Sequence, residues 1–299
     1  MPPFPYFWDM TARSSEKVFT FPAFFRIIRP FNLLIMAFAQ LMTAYFLVEN
    51  TLQGRPILED VHLYLLILST VLIAASGYMI NDYYDVKIDY INKPKEVVVG
   101  KNIKRRTVMF LHSILNVIGI GIGLILGLKV GFIIFLAAFL LWFYSNSLKR
   151  LPFIGNLVVA LLTGLAVYIV GLYYQTNELL VLAYAIFAFF INLIREIIKD
   201  IEDRHGDRKH GSKTLPIVLG FRGTKNVIFS IAAIFIVSIV AVTYKLQNEL
   251  LYYYFGSLSL LFFLFLYKIY MADRKAHFTQ LSLLSKLLML TGILSMGFL

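Results

Sequence analysis

Apolar residues dominate nine stretches of the chain, and charged or turn-forming segments separate these stretches. A helix that crosses a lipid bilayer needs about 20 mostly apolar residues, and each stretch is close to that length. The predicted spans cover residues 31–48, 62–81, 107–127, 130–146, 154–174, 178–198, 225–244, 249–270 and 280–298. The pattern therefore predicts an all-α integral membrane protein, with nine transmembrane helices around a central cavity in a single domain over residues 1–299.

Basic residues between the predicted spans fall mostly on one side of the membrane. Most of the 28 Lys and Arg residues lie in the N-terminal segment or in the connections after the second, fourth, sixth and eighth spans. The positive-inside rule assigns that side to the cytoplasm. We therefore expect a cytoplasmic N-terminus, an interfacial segment over residues 1–30 and a location in the plasma (inner) membrane.

The composition supports a membrane location and excludes several classes of protein. Hydrophobic residues make up 59% of the 299 residues and charged residues only 15%, which is outside the soluble globular range. The net charge of +11 follows from the one-sided basic residues, so it indicates contact with anionic lipids or substrates rather than nucleic acid. The chain has no cysteine, which excludes disulfides, thiolate metal ligands and a cysteine nucleophile. No protein partner is evident from the sequence.

Two long cytoplasmic connections, predicted over residues 82–106 and 199–224, carry the same acidic pattern. Three aspartates at spacing i, i+3, i+7 occur in "DYYDVKID" and again in "DIEDRHGD", about 118 residues later; they are Asp82, Asp85, Asp89, Asp200, Asp203 and Asp207. The spacing places each triad on one helical face if the preceding helix continues through it. The repeat indicates two similar halves with their acidic motifs facing one another.

Stacked carboxylates repel each other, so a bound cation is needed to balance them. Mg²⁺ prefers oxygen ligands and commonly binds one or two carboxylates together with substrate phosphates. Two facing triads therefore predict Mg²⁺ ions around a diphosphate. Neighbouring basic residues that could contact the outer phosphate oxygens include Lys87, Lys93, Arg195, Lys199 and Lys209. The alternative interpretation, a solvated and charged helix end, is weakened by the second copy.

This combination of features indicates a class of reaction. Metal ions that neutralise a diphosphate make it a good leaving group. A diphosphate held at the membrane edge leaves its organic part among apolar helices, which suits an isoprenoid chain. Ionisation gives an allylic cation, and an apolar, aromatic cavity both excludes water and stabilises that cation. A bound lipophilic acceptor then captures it.

The sequence resembles the UbiA-type intramembrane prenyltransferases over nearly its whole length. The resemblance rests on nine predicted helices, on "NDYYDVKID" after the second and on "DIEDRHGD" after the sixth. It implies Mg²⁺-dependent transfer of a prenyl group from a polyprenyl diphosphate. It also implies that the catalytic metal ligands are Asp82, Asp85, Asp200 and Asp203, with Asn81, Asp89 and Asp207 in support. From "YSNSLKR", which is similar to the family's fourth-helix end, it adds Tyr144, Ser145 and Lys149 as substrate contacts.

The acceptor is less clearly indicated than the donor. "REIIKDIEDRHGDRKHGSKTLP" is most similar to the branch that attaches a geranylgeranyl group to the hydroxyl of geranylgeranylglyceryl phosphate. That branch usually has arginines after the first motif, where this chain has Lys93, Lys95 and Lys101. Lysine lacks the bidentate geometry of arginine, so phosphate recognition could differ. An aromatic acceptor, as in the quinone-forming branches, therefore remains an alternative.

Functions other than prenyl transfer are also alternatives. Intramembrane acids often mark ion pathways in transporters, but transport sites usually lie near the membrane midplane on broken helices. A noncatalytic lipid-binding scaffold is compatible with the hydropathy, but it leaves both full triads unexplained. A CDP-alcohol phosphotransferase needs an Asp-Gly-x-x-Ala-Arg stretch, which this chain lacks. Lys286, inside the ninth predicted span, either extends to the membrane surface or lines the cavity.

Overall fold

The computed structural model describes residues 20–48, 51–52, 55–175 and 178–299. It contains eleven helices in these ranges: α1 (Phe21–Ile28), α2 (Pro30–Met42), α3 (Val61–Asn92), α4 (Arg105–Leu126), α5 (Leu128–Asn146), α6 (Ile154–Tyr174), α7 (Glu178–Lys209), α8 (Leu215–Val218), α9 (Gly220–Leu246), α10 (Glu249–Met271) and α11 (Lys275–Leu294). Shorter elements are a π-helical turn at Thr43–Leu47, 3₁₀ turns at Ile57–Glu59, Leu148–Arg150 and Ser295–Phe298, and an antiparallel pair formed by β1 (Thr51–Leu52) and β2 (Arg55–Pro56).

Nine helices in the described ranges are long and apolar enough to cross a membrane. They correspond one to one with the nine predicted spans, so the predicted all-α membrane fold is confirmed. Within a bilayer only a helix or a closed barrel satisfies the backbone hydrogen bonds, which accounts for the uniform use of helices. Most of the predicted interfacial segment, residues 1–19, lies outside the described residues.

Two spanning helices are longer than the sequence pattern predicts. Both α3 and α7 have 32 residues, and both continue through their aspartate triads to Asn92 and Lys209. The apolar windows end earlier because the charged last turns lower the local hydropathy. The acidic motifs therefore lie on helix ends, and only residues 93–104 and 210–214 form the irregular part of the two predicted catalytic loops. We call this side of the bundle the motif end.

The opposite end of α3 is fixed by a polar cap. Asp60 accepts a hydrogen bond from the backbone N–H of His62 (3.0 Å) and another from the Tyr174 hydroxyl (2.6 Å). Burial tends to raise the pKa of Asp60, but these hydrogen bonds outweigh it and hold the pKa below its ordinary value. The first turn of α3 is thereby joined to the last turn of α6.

Apolar side chains form three buried clusters that hold the helices together. The largest joins α6, α7 and α9–α11, the second joins α2, α3, α5 and α6, and the third packs α1 and the segment after α3 against α3 and α4. The first two clusters lie in different halves of the bundle. Both include α6, which therefore connects the halves through its packing.

Close packing of α3 against α4 depends on a glycine. A Cβ atom at Gly119 would lie 2.9 Å from Ile73 Cδ1, and the Gly119 carbonyl accepts a hydrogen bond from the Ser69 hydroxyl (2.7 Å). By contrast, a Cβ at Gly121 would meet nothing within 4 Å. Small residues let spanning helices approach closely, which is the role that Gly119 has here.

We expect Gly119→Val to lower the free energy of unfolding by about 1–3 kcal/mol, the usual cost of overpacking a tight contact. Thermal unfolding of the protein in detergent measures this change. Gly121→Val on the same helix is the matched control, because its side chain enters open space. Equal stability of the two variants would contradict the packing role of Gly119.

Candidate functional site

The motif carboxylates lie on the last turns of α3 and α7 and are held by groups from other elements. Three of these contacts are with basic side chains. Arg29 donates to Asp82 (2.7 Å), Lys149 forms an ion pair with Asp85, and Lys93 donates to Asp203 (3.1 Å). Each contact brings a cation to a carboxylate that would otherwise be repelled by its neighbours.

Arg29 reaches Asp82 from a strained position between α1 and α2. Its backbone φ is +53°, in the left-handed region that a residue with a Cβ seldom adopts. Pro30 begins α2 directly afterwards, and its fixed φ suits a first helical position. The Arg29 guanidinium also lies 5.0 Å from the centre of the Tyr78 ring. The turn thus directs Arg29 across the first motif.

The second motif has a different set of contacts. Asn156, near the start of α6, donates from its side-chain amide to Asp200 Oδ2 (2.8 Å). Asp203 accepts from Lys93 through Oδ2, while its Oδ1 atom is buried without a hydrogen-bond partner among the described residues. A buried carboxylate oxygen with an unused lone pair is a suitable ligand for a hard cation.

The carboxylates are spread along two helices and do not form one compact cluster. Within the described ranges, no three Asp, Glu or His side chains are close enough together to hold one metal ion. Mg²⁺ does not need such a cluster, since it commonly takes one or two carboxylates and completes its coordination shell with water and substrate phosphates. The donor set of all-oxygen ligands therefore fits Mg²⁺ held jointly with a phosphorylated ligand.

One asparagine joins the two motif helices. Asn92, the last residue of α3, donates from its side chain to the Asp203 carbonyl (2.9 Å) and accepts from the Gly206 backbone N–H (2.8 Å). The Asn92 carbonyl accepts in turn from Lys275 (2.7 Å), the first residue of α11. A Cβ at Gly206 would lie 2.5 Å from the Asn92 amide nitrogen, so only glycine fits there. We call this contact the Asn92 clamp.

Lys93 follows the clamp and is charged at neutral pH. Burial lowers the pKa of Lys93, but the nearby carboxylates of Asp203 and Glu202 raise it further, so the net shift is upward. Its ammonium group lies 3.1 Å from Asp203 and 4.0 Å from Glu202. Lys93 is therefore a structural partner of the second motif as well as a predicted phosphate contact.

A cavity of about 610 Å³ extends from the motif end into the bundle. Its volume is in the range typical of small-molecule sites. Apolar and aromatic residues form most of its wall, among them Leu141, Phe187, Phe235, Phe262 and Met289. Such a wall excludes water and accommodates a long hydrocarbon chain.

Charged side chains line the cavity in one small group. Four are basic and one is acidic: Arg29, Arg195, Lys199, Lys286 and Glu196. Glu196 is shared, because its carboxylate accepts from Arg195 (2.7 Å) and from Lys199 (3.0 Å). The cavity therefore has a cationic polar end, whereas the motif carboxylates do not line it.

The substrate contacts predicted from the sequence lie in three kinds of position: in the cavity wall, on motif carboxylates, and away from the cavity. Asn81, Tyr144, Arg195 and Lys199 line the cavity. Lys93 and Lys149 instead bind motif carboxylates.

The remaining predicted contacts lie away from the cavity. Lys87 and Lys209 are exposed at the ends of α3 and α7. Ser145 is buried, and its hydroxyl donates to the Leu141 carbonyl of its own helix (2.9 Å), so its one hydrogen-bond donor is already used. The structure gives these three no substrate-facing position.

Three residues at the site were missed by sequence reasoning: Arg29, Asn92 and Asn156. In the sequence, Arg29 is one of several basic residues in the N-terminal segment, and Asn156 is one polar residue in the first turn of an apolar helix. Neither has a local pattern that predicts its tertiary contact. Asn92 had one signal, since it comes three residues after the first triad. Lys286 had two open interpretations, and the structure places it in the cavity wall.

Comparison with known proteins identifies relatives of the chain. Residues 33–287 match the model described as the UbiA prenyltransferase family. A digeranylgeranylglyceryl phosphate synthase from Methanosphaera stadtmanae is 36% identical over 232 residues, which cover 77% of this chain and 78% of the relative.

Solved structures share the fold. One concerning digeranylgeranylglyceryl phosphate synthase has a TM-score of 0.68 at 23% identity and covers 92% of this chain and 96% of its own. Another, of a UbiA homolog from Archaeoglobus fulgidus bound to GPP and Mg²⁺, has a TM-score of 0.63 at 16% identity and covers 92% of this chain and 99% of its own.

We expect Gly206→Ala to separate the ends of α3 and α7, because the added methyl group cannot coexist with the Asn92 clamp. The chain has no cysteine, so spin labels can be attached at Lys87→Cys and Lys209→Cys, both exposed. Pulsed electron–electron double resonance should show a longer or broader distribution of distances between the two labels in the Gly206→Ala background. His205→Ala, at the exposed neighbouring residue, should leave the distribution unchanged. Identical distributions in all three backgrounds would contradict the clamp.

Proposed function

The chain belongs to the UbiA prenyltransferase family, and we propose that it transfers a geranylgeranyl group from geranylgeranyl diphosphate to the hydroxyl of geranylgeranylglyceryl phosphate. The observation that carries this proposal is the position of a large apolar cavity directly beneath two aspartate-bearing helix ends. The names of the relatives at 36% identity support the glycerophosphate acceptor. The donor chain and the acceptor chain would share the cavity.

The diphosphate of the donor would be held at the motif end. Asp82, Asp85, Asp200 and Asp203 are the proposed Mg²⁺ ligands, with Asn81, Asp89 and Asp207 in support. Bound Mg²⁺ would neutralise the diphosphate as it leaves. The structure with GPP and Mg²⁺ is a relative of the same fold, which supports this cofactor. Lys149 and Lys93 are paired with Asp85 and Asp203 in the structure, and they would contact phosphate oxygens when the metal binds these carboxylates.

The cavity wall would control the fate of the prenyl group. The bond between its first carbon and the diphosphate oxygen breaks, and the diphosphate leaves with the bonding electrons. The acceptor hydroxyl oxygen would then form the new C–O bond, and its proton would pass to the released diphosphate. Aromatic residues such as Phe187, Phe235 and Phe262 keep water from the allylic cation, and ring faces can stabilise its positive charge.

The distribution of charge suggests how the protein lies in the membrane. Arg29, Lys93, Lys149 and Lys275 all lie at the motif end. By the positive-inside rule this end, with the active site, would face the cytoplasm, and the proposed location is the plasma membrane. Water-soluble diphosphate product would be released there.

We expect purified protein with geranylgeranyl diphosphate, geranylgeranylglyceryl phosphate and Mg²⁺ to form the digeranylgeranyl ether, detected by product mass. Asp82→Asn should lower kcat/KM by about 10²-fold or more, because it removes a charged metal ligand and keeps the side-chain shape. Asp273→Asn is the matched control, since Asp273 is 70% exposed and lies at the turn before α11. A prenylated 4-hydroxybenzoate in place of the ether would retain the reaction class and contradict the acceptor.

We also expect the transfer to need a divalent cation of the right size. EDTA should abolish ether formation and excess Mg²⁺ should restore it, whereas Ca²⁺ should restore it poorly, because Ca²⁺ takes more ligands at longer distances. The rate of ether formation after each addition is the measurement. Full activity in EDTA would contradict the metal role of the two motifs.

A further inference from the structure

Lys286 is a half-buried cation in the cavity wall that the proposed reaction leaves without a role. It lies in α11, eleven residues after the first residue of that helix, or about 16 Å along its axis. Its ammonium group is 5.5 Å from the centre of the Phe31 ring and lines the cavity. Among the described residues it forms no ion pair within 4.0 Å. An ionisable side chain within a spanning helix is costly and usually marks a functional site.

The packing of α11 on α7 places Lys286 opposite Arg195. Thr279 of α11 donates to Glu202 of α7 (3.0 Å), and Ser295 is hydrogen-bonded to Tyr184 of α7 (2.9 Å). Ser295 is the residue directly after α11, so these two contacts, one near each end of the helix, fix an antiparallel register. Lys286 lies seven residues after Thr279, and Arg195 lies seven residues before Glu202, so the two cations occupy the same level.

The cavity group has more basic than acidic side chains even before a ligand binds. Glu196 serves both Arg195 and Lys199, and Arg29 is paired with Asp82, so Lys286 has no carboxylate of its own. The Arg195 Nε atom is also buried without a hydrogen-bond acceptor among the described residues. Like charges at one level in a low-dielectric site repel each other, and a bound anion would relieve the repulsion.

The diphosphate of the proposed donor and the phosphate of the proposed acceptor need different kinds of binding site. A diphosphate bound through Mg²⁺ is held by carboxylates, and these lie at the motif end. A phosphate monoester that binds without metal needs direct contact with cations. On α7 the nearest proposed metal ligand, Asp200, lies five residues beyond Arg195, about 7.5 Å along the helix, so the carboxylates and the cavity cations occupy successive levels.

Resting on the proposed function, we propose that Lys286 and Arg195 form the binding site for the phosphate of the acceptor. The pair holds the glycerophosphate headgroup inside the cavity without a metal. It thereby selects a phosphorylated acceptor over a neutral lipid alcohol. The acceptor chain then lies along the wall formed by α9–α11, where Phe235, Phe262 and Met289 face the cavity.

The test compares steady-state constants of wild type, Lys286→Met and Lys286→Arg. Lys286→Met should raise KM for geranylgeranylglyceryl phosphate about 10- to 100-fold, which is the effect of losing a hydrogen bond to a charged group. KM for geranylgeranyl diphosphate should not change. Wild type should prefer the phosphorylated acceptor over geranylgeranylglycerol, and Lys286→Met should lose most of that preference. Lys286→Arg should retain it, because the charge remains.

Lys268→Met is the matched control, since Lys268 is exposed in the last turn of α10 and does not line the cavity. It should behave as wild type in every assay. An unchanged acceptor KM in Lys286→Met would overturn the proposal, and so would a rise in KM for the diphosphate substrate instead. If Lys286→Met does not fold, as judged by its thermal unfolding, Arg195→Gln is measured in its place with the same criteria.

A binding measurement separates this inference from the proposed reaction. Calorimetric titration of geranylgeranylglyceryl phosphate into protein in EDTA, without the diphosphate substrate, requires no turnover. Wild type should bind and Lys286→Met should bind at least tenfold more weakly, within the range set by one charged hydrogen bond. Absence of ether product with intact binding would contradict the proposed function alone. Equal binding by both proteins would overturn the phosphate site.

Discussion

Compensation of like charges at the end of an apolar bundle is the constraint on which the site depends. Like charges on two helix ends close to lipid repel each other, and cations from other elements pair with three of the six motif aspartates: Asp82, Asp85 and Asp203. Arg29 before α2, Lys149 after α5 and Lys93 after α3 supply these cations. The ion pairs therefore have two consequences. They bring the first turn of α2 and the end of α5 to the motifs, and they keep basic groups next to the carboxylates that the proposed metal would bind.

The Asn92 clamp extends this arrangement from side chains to backbone. Charge pairing tolerates small shifts, but a hydrogen bond from Asn92 to the Asp203 carbonyl and one from the Gly206 N–H fix the ends of α3 and α7 relative to each other. Lys275 ties α11 to the same point through the Asn92 carbonyl. A cation at the C-terminus of α3 is also favourable for the helix dipole. In the described residues, α3, α7 and α11 thus converge on one asparagine beside the second motif.

Hydropathy was sufficient to predict the nine spans, because in lipid each helix must satisfy its own backbone and the apolar runs are therefore continuous. It ended α3 and α7 too early, since charged turns are invisible to an apolar window even when tertiary ion pairs keep them helical. The triad spacing predicted which carboxylates share a face. It could not predict Arg29 or Asn156 as their partners, because those contacts join residues 53 and 44 positions apart.

The structure also bears on the three lysines after the first motif, Lys93, Lys95 and Lys101. Lys93 is bound to Asp203, and Lys95 and Lys101 are exposed. Recognition of a phosphorylated acceptor therefore does not have to come from that stretch. The cavity has its own excess of basic groups, and Lys286 and Arg195 share one level of it. A reaction with two anionic lipids needs one site that binds phosphate through metal and another that binds it without, or the headgroups would compete. In the proposed reaction, the carboxylates at the motif end and the cations within the cavity would bind the two headgroups at different levels, so lysines after the first motif are compatible with a phosphorylated acceptor.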